Sequence, residues 1–412
     1  MQIGNLLPTT PAPKALINNQ QTTARQIAFA AAFLLPMSKL LEAPSILAKH
    51  AGGDLLFPAV LHFLFQTLVL LGLLYAASKS ETPLIDRLKN VLGKGVFLLY
   101  AVYATYFLFH AALPLLDMEK FVYATYFDTA PTLFSFGVFF LFSAFVCTKG
   151  IKSIGRCADL CLFLFLLPFL ALAFMAVSET DFSRLLPFFG TDFSKSFTAF
   201  TRTAPHFSDA VLLLPLIATL RYKKNDGVKV VAGYGCGAIL TLFFLAVFYA
   251  LYGTLAGREH YAFAKIGQYF PALSVVGRID LLFVYFLSVV LLFFLCLPLQ
   301  YATQAISQLF RTERKTLISA LLNLVLFVFV LFFNRRYNSV YTLISEKLPP
   351  VFWLFADILP LFVLFIPSNP KNTKKRQNEG GRYAMKTKTD IKNRPIHPTK
   401  NISKENKNAS NA

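Results

Sequence analysis

Charged side chains are scarce in this sequence. Asp, Glu, Lys and Arg together make up 15% of its 412 residues, whereas hydrophobic residues make up 56%. Soluble domains carry about 25% charged residues, so this composition excludes the soluble globular class. The apolar runs are continuous over about 20 residues and do not alternate, which argues against a β-barrel. The sequence therefore predicts an all-α polytopic membrane protein.

The sequence also lacks the enzyme motifs that can be recognised from residue spacing. It contains no phosphate-binding Walker loop, no zinc motif and no nucleophile elbow. Ser38 and Ser208 have no evident relay of a histidine and a carboxylate. The five cysteines show neither metal-ligand spacing nor a secreted disulfide pattern. We therefore expect a protein that is not an enzyme and that uses no metal or cofactor.

Continuous apolar runs predict about ten transmembrane helices. The predicted spans are 27–49, 55–78, 95–116, 131–148, 157–178, 197–220, 228–255, 280–309, 317–333 and 350–366. If the N-terminus is cytoplasmic, 28 of the 40 Lys and Arg residues fall on the cytoplasmic side and 10 on the other side. Cytoplasmic loops carry an excess of basic residues, so we expect both termini to be cytoplasmic.

The net charge of +19 is concentrated near the C-terminus. Residues 367–412 hold 12 basic and 3 acidic residues and few apolar ones. This composition predicts a disordered cytoplasmic tail that serves topology or binds anionic lipid headgroups, rather than a protein or nucleic acid. We therefore expect a cytoplasmic N-terminal segment at 1–24, a transmembrane domain at 25–366 and this tail.

Two of the predicted spans are interrupted at matching places in the two halves of the chain. The first span reads FLLPMSKLLEAP from Phe33 to Pro44, and the sixth reads TAPHFSDA from Thr203 to Ala210. Helices interrupted at membrane depth persist only where protein lines the break. A matched pair of such spans is typical of a transporter-like binding site. The division into five plus five spans resembles the LeuT-like inverted repeat of the amino acid–polyamine–organocation transporter superfamily.

Several local segments sharpen this resemblance. In chain order they read PSILAKHAGGD at 44–54, DFSRLLPFFG at 181–190, FSD at 207–209 and YFPALSVVGRID at 269–280. Their order and spacing resemble the spore germination permease family, the GerAB-like branch of that superfamily. The first break departs from the family pattern, because Met37, Ser38 and Lys39 stand where a Gly-Thr-Gly-like sequence is usual. Gly277 also replaces the usual acid before Arg278. The absence of glycine at the first break argues against a standard amino-acid pocket and is consistent with a divergent member that has another ligand or none.

Ionisable groups within the spans are the first candidates for ligand binding. Lys39, Glu42 and Asp209 lie deepest in the predicted spans. A charge at the bilayer centre costs at least about 2.5–3.5 kcal/mol, so such groups normally face the bundle interior and find partners. Lys39 pairs with either Glu42 or Asp209 in this interpretation. The pair either locks the two broken helices together or meets a polar ligand; alternatively, the charged side chains extend to the membrane interface.

Helix breaks expose free N–H and C=O groups, which suit the carboxylate and the ammonium group of an amino acid. The third span carries a stripe of ring side chains that either packs in the core or forms a pocket wall, namely Tyr100, Tyr103, Tyr106 and His110. Arg278 and Asp280 predict an outer clamp or gate. The predicted ligand-binding residues are Leu35, Pro36, Met37, Ser38, Lys39, Glu42, Tyr103, Tyr106, His206, Phe207, Ser208 and Asp209.

The resemblance implies a nutrient (germinant) receptor subunit of permease type, in the inner spore membrane or the cell membrane. Such a subunit would bind a small polar ligand such as an amino acid. It would signal germination together with an A-type subunit and a C-type lipoprotein subunit. The alternative is a proton- or sodium-coupled amino acid transporter of the same fold. A third interpretation is a closed structural subunit whose pocket is filled by Met37 and Lys39.

Overall fold

All regular secondary structure in the computed structural model is helical across the residues it describes. These residues are 22–80, 82–126, 136–187, 189–268 and 280–365. They belong to one compact unit, Met1–Ile366. The prediction of an all-α polytopic membrane protein is confirmed.

The helices are numbered here in chain order. They are α1 (Ala24–Lys39), α2 (Ala43–Asp54), α3 (Leu56–Ser78), α4 (Leu84–Tyr126), α5 (Gly137–Cys147), α6 (Ile151–Val177), α7 (Phe193–Thr203), α8 (Asp209–Ala218), α9 (Asp226–Arg258), α10 (Ala262–Gln268), α11 (Asp280–Leu309), α12 (Lys315–Lys347) and α13 (Pro349–Leu361).

Six of these helices, α3, α4, α6, α9, α11 and α12, are each long and apolar enough to cross a membrane. Helices α1 and α2 form a seventh candidate span, which is bent by 60° at the break between them. The other three predicted spans coincide with the shorter helices α5, α7 with α8, and α13. By length and composition, the described helices support six or seven spans, so the predicted number of ten is not confirmed.

Helix α4 extends further than hydropathy predicted, because it continues past Asp117 and Glu119 to Tyr126. The side chains of both acids are buried in the bundle, at 2% and 0% exposure. The Tyr337 hydroxyl donates to Asp117 at 2.6 Å, and the Asn334 amide donates to Glu119 at 2.7 Å. A prediction from hydropathy ends the span before these two acidic residues. In the structure, hydrogen bonds from α12 reduce the cost of burying their side chains, so the helix continues.

The position of α1 depends on small residues where it crosses α9. A Cβ atom at Gly233 would lie 2.5 Å from the Ala28 carbonyl oxygen, and one at Gly237 would lie 2.5 Å from that of Ala31. Small residues at a helix crossing let the two backbones approach closely. This close contact holds the first half of the broken span against α9.

The chain between α1 and α2 is satisfied by backbone hydrogen bonds from a distant segment. The carbonyl oxygens of Leu40 and Leu41 accept from the backbone N–H groups of Phe263 and Ala262 at 3.1 and 3.0 Å. Unpaired backbone groups are costly away from water, so a break inside the bundle needs such partners. The start of α10 therefore allows the first span to be interrupted.

Candidate functional site

Pro36 is the local cause of the break in the first span. Helix α1 changes to a π-helical turn at Ala30–Leu34 and then to a 3-10 turn at Leu35–Lys39. Proline has no N–H to donate, and its ring clashes with the preceding turn, so the regular backbone hydrogen bonds of the α-helix are interrupted there. Lys39 is the last residue of the 3-10 turn and is thereby placed at the break.

Pro205 has the corresponding role in the second broken span. Helix α7 ends at Thr203, a 3-10 turn covers Ala204–His206, and α8 begins at Asp209. The N-terminal end of a helix carries partial positive charge, which favours an acidic residue in its first turn. This geometry places the Asp209 carboxylate at the second break.

A buried ion pair between Lys39 and Asp209 joins the two breaks. The Lys39 Nζ donates to Asp209 Oδ1 at 2.6 Å, and the two side chains are 1% and 2% exposed. The hydroxyl of Tyr234 on α9 donates to Asp209 Oδ2 at 3.0 Å. Of the two partners that the sequence left open for Lys39, the structure has Asp209.

Three further groups surround the Lys39 ammonium. Nζ donates to the Leu35 carbonyl oxygen at 3.3 Å and to the Ser38 hydroxyl oxygen at 3.2 Å. It also lies 5.4 Å from the centroid of the Phe207 ring, within the range of a cation–π interaction. A buried charge is costly unless it is paired and hydrogen-bonded. A carboxylate, a carbonyl, a hydroxyl and an aromatic ring together meet this requirement.

The two serines of the breaks link the segments to each other and to α4. The Ser38 hydroxyl donates towards the carbonyl oxygens of Leu35 and His206, at 2.9 and 3.2 Å, and so bridges the two breaks. The Ser208 hydroxyl lies 3.1 Å from His110 Nε2, and His110 belongs to the aromatic stripe of α4. The structure thus brings the two predicted segments together in one junction, which we call the break junction (35–39 and 206–210).

Most of the break junction is buried. Its remaining predicted members are all buried, and these are Leu35, Pro36, Met37, His206 and Phe207. Tyr106 is buried as well, and its ring centroid lies 5.8 Å from that of His110. The predicted ligand-binding residues of the two breaks are therefore neighbours, and all of their side chains are buried except that of Ser38, which is half-buried.

Two polar side chains that the sequence analysis did not select complete the second break. Gln66 on α3 accepts from the Ala210 backbone N–H at 2.9 Å and donates to Asp357 on α13 at 2.7 Å. Asp357 is 2% exposed, and within the described part of the chain it makes no ion pair. Each of these two polar residues interrupts an otherwise apolar run of the sequence. This pattern could have identified both as candidate site residues.

Glu42, which was predicted at the site, contacts His260 instead of Lys39. His260 Nδ1 lies 3.1 Å from Glu42 Oε2, with side-chain exposures of 69% and 5%. The hydrogen bond to Glu42 raises the pKa of His260 above its ordinary value of 6.5, against the opposing effect of partial burial. This contact joins the start of α2 to the segment between α9 and α10.

A cavity of about 430 Å³ is a separate feature from the break junction. It is lined by Tyr103 of α4, Leu214 of α8, and Tyr301 and Gln304 of α11, among others. Tyr103 is the one predicted ligand-binding residue in this lining. The cavity therefore lies apart from the ion pair of Lys39 and Asp209 in the break junction.

The predicted gate falls largely outside the described residues. Arg278 precedes the described part of α11, and of Asp280 the backbone alone is described.

A second charged contact, centred on Arg202, connects the broken spans to neighbouring segments. The Nη1 atom of Arg202 in α7 lies 3.2 Å from Glu346 Oε1, and it donates to His50 Nε2 in α2 at 3.1 Å.

Comparison with protein families gives a match over most of the chain. The family model described as spore germination protein, with the short name spore permease, matches residues 27–338. No curated protein sequence matches the chain.

Comparison with solved structures gives similarities to the transporter Mhp1. Its inward-facing conformation is 12% identical in sequence, with a TM-score of 0.40, over 84% of this chain and 76% of that chain. A closed conformation, described as a nucleobase-cation-symport-1 family transporter with bromovinylhydantoin bound, is 13% identical, with a TM-score of 0.38. That match covers 85% of this chain and 92% of that chain.

Proposed function

Because the chain belongs to the spore germination protein family, we propose that it is the permease-type subunit of a nutrient (germinant) receptor. The subunit binds a small polar molecule, such as an amino acid, at the break junction. It acts in the inner spore membrane or the cell membrane, with both termini in the cytoplasm. An A-type subunit and a C-type lipoprotein subunit are its proposed partners in signalling.

The observation that best supports this proposal is the buried pair of Lys39 and Asp209 between the two breaks. A zwitterion presents a carboxylate and an ammonium group, which match these two charges one to one. Insertion of such a ligand exchanges one internal ion pair for two ligand pairs, so no charge is left unpaired. Breaking the pair without a replacement would leave uncompensated buried charges, which is strongly unfavourable.

Exchange of this pair also provides a way to signal. The ion pair joins α1 to α8, so its exchange releases a direct connection between the two broken spans. The contacts of Glu42 with His260 and of Arg202 with Glu346 link the other halves of these spans to neighbouring segments. A ligand shifts such an equilibrium by its difference in affinity for the two states. The partner subunits would detect the shifted state.

A thermal-unfolding screen of the purified protein in detergent tests the ligand site. Amino acids, nucleosides and sugars are screened against the wild type, Asp209→Asn and Arg25→Ala. Arg25→Ala removes an exposed ion pair with Asp159 and serves as the control. We expect one ligand class to raise the unfolding temperature of the wild type and of Arg25→Ala, with no effect on Asp209→Asn. No shift of the folded wild type, or an equal shift of Asp209→Asn, contradicts the proposal.

Uptake of the identified ligand by liposomes separates a receptor from a carrier. A receptor subunit binds the ligand without accumulating it under a proton or sodium gradient. Gradient-dependent accumulation would instead support the coupled-transporter alternative. Co-purification with the A-type and C-type subunits tests the signalling partners independently of transport.

A further inference from the structure

The environment of the Lys39 ammonium is a complete receptor for a primary ammonium ion. A –NH₃⁺ group has three N–H donors. Lys39 Nζ donates to Asp209 at 2.6 Å, to Ser38 at 3.2 Å and to Leu35 at 3.3 Å. The Phe207 ring covers another side, with its centroid 5.4 Å from Nζ.

None of these contacts requires that the ammonium be attached to the chain. Two of the acceptors, the Asp209 carboxylate and the Leu35 carbonyl, lie on different broken spans. Asp209 is further held by the Tyr234 hydroxyl at 3.0 Å, so the carboxylate keeps its place without Lys39. The site is therefore built by its surroundings, and Lys39 is its occupant.

We propose that the break junction contains a binding site for a primary ammonium group and that the chain fills this site with its own Lys39. An amine ligand of this site binds in exchange for Lys39. Lys39 thus holds the two broken spans together until a ligand supplies a replacement cation. This specifies the ligand chemistry of the proposed function and rests on it in taking the break junction as the ligand site.

Occupation by Lys39 also has a quantitative consequence for affinity. Apparent affinity falls in proportion to the fraction of molecules whose site is free. Because the Lys39 side chain is 1% exposed and fully engaged, the vacant site is a minor state of the wild type. A variant without the Lys39 amine therefore binds small amines at least about tenfold more tightly than the wild type.

Replacement of the Lys39 side chain by a free amine tests this proposal. Lys39→Ala removes three methylene groups and the ammonium, which correspond to n-propylammonium. We expect n-propylammonium chloride to raise the unfolding temperature of Lys39→Ala by several degrees, in a saturable manner, and to leave the wild type unchanged. Sodium chloride at equal ionic strength, tetramethylammonium and 1-propanol should have no such effect. Absence of a saturable shift in folded Lys39→Ala overturns the proposal.

Two further variants show whether the amine acts at this site. Lys39→Met fills the space with an apolar chain, and Lys39→Ala/Asp209→Asn removes the carboxylate, so neither should respond to propylammonium. An equal response of the Asp209→Asn double variant overturns the proposal. If Lys39→Ala is not recovered alone, it is produced with propylammonium throughout. Its recovery in amine supports the proposal, and its failure in amine, while the double variant folds, overturns it.

The outcomes for the ammonium site and for the proposed function can be told apart. Rescue of Lys39→Ala by propylammonium, with no ligand shift in the wild type, supports the ammonium site and rejects the receptor ligand. A selective ligand shift in the wild type, with no rescue of Lys39→Ala, supports the receptor and rejects the ammonium site.

Discussion

At the scale of single residues, the break junction is dominated by two charges that are both withdrawn from solvent. Lys39 and Asp209 are 1% and 2% exposed, and their charged atoms are 2.6 Å apart. Removal of one member of a buried pair typically costs about 3–5 kcal/mol, whereas replacement of both members by neutral groups is much cheaper. The stability of the folded protein therefore depends less on the presence of the pair than on neither charge being left without its partner.

A double-mutant cycle on Lys39→Met and Asp209→Asn measures this dependence. We expect each single variant to lower the free energy of unfolding by about 3–5 kcal/mol, because each leaves an unpaired buried charge. The double variant should lose clearly less than the sum, with a coupling energy of at least about 1 kcal/mol. Unfolding of the purified proteins in detergent gives these values. Additive losses would show that the two side chains do not depend on each other.

At the scale of helices, the crossing of α1 and α9 depends on the absence of side chains. A Cβ atom at Gly237 would lie 2.5 Å from a backbone oxygen of α1, and backbone atoms have little freedom to move aside. A Cβ atom at Gly235, two residues earlier on the same helix, would have no neighbouring heavy atom within 4 Å. The two glycines therefore differ in packing while they share the same helix.

Gly237→Ala should displace α1 from α9, at a cost of about 1–3 kcal/mol in the free energy of unfolding. Gly235→Ala is the matched control, and it should be neutral or stabilising by up to about 1 kcal/mol because alanine favours the helix. Thermal unfolding of both variants provides the comparison. Equal effects of the two substitutions would contradict a close crossing at Gly237.

The contact between His260 and Glu42 makes the link between the start of α2 and the segment between α9 and α10 sensitive to pH. The pKa of His260 is raised in the folded protein, chiefly by its hydrogen bond to Glu42, with Asp117 and Glu259 also favouring the protonated form. A group whose pKa rises on folding stabilises the folded state at pH values below its unfolded pKa. This stabilisation is lost as the pH rises above 6.5 and through the folded pKa.

The unfolding temperature of the wild type should therefore fall more steeply than that of His260→Gln between about pH 6 and about pH 8. Because the His260 side chain is 69% exposed, we expect a contribution of no more than about 1 kcal/mol. Thermal unfolding of both proteins across this range measures the difference in slope. Parallel curves would show that the protonation of His260 does not couple to folding.

At the scale of the whole molecule, the uneven distribution of Lys and Arg predicts how the chain sits in the membrane. With both termini inside, 28 of the 40 basic residues are cytoplasmic. Cytoplasmic loops carry this excess because basic loops are retained on that side.

Reporter fusions after Ala412 test this orientation. A green fluorescent protein fusion should fluoresce and an alkaline phosphatase fusion should be inactive, because the former matures in the cytoplasm and the latter outside it. Fusions within 256–260, in the predicted outer segment that follows the seventh span, are the matched control and should give the opposite result. An active phosphatase at the C-terminus would contradict the predicted topology.

The sequence by itself determined the membrane class, the approximate position of most spans and the two interrupted segments. These properties depend on local composition, and proline and charge within an apolar run act on the residues around them. The family could be predicted for the same reason, from short segments in order along the chain. The ends of spans were less predictable, as α4 shows, because Asp117 is made tolerable by Tyr337 from another helix.

The tertiary structure alone decided which of these groups meet. Lys39 pairs with Asp209, 170 residues away, although Glu42 is much closer in sequence. Gln66 and Asp357, 291 residues apart, join the same second break. A charged side chain within an apolar span needs a partner inside the bundle, and that partner comes from whichever helix packs against it. The residue pattern of a single helix does not identify that neighbouring helix.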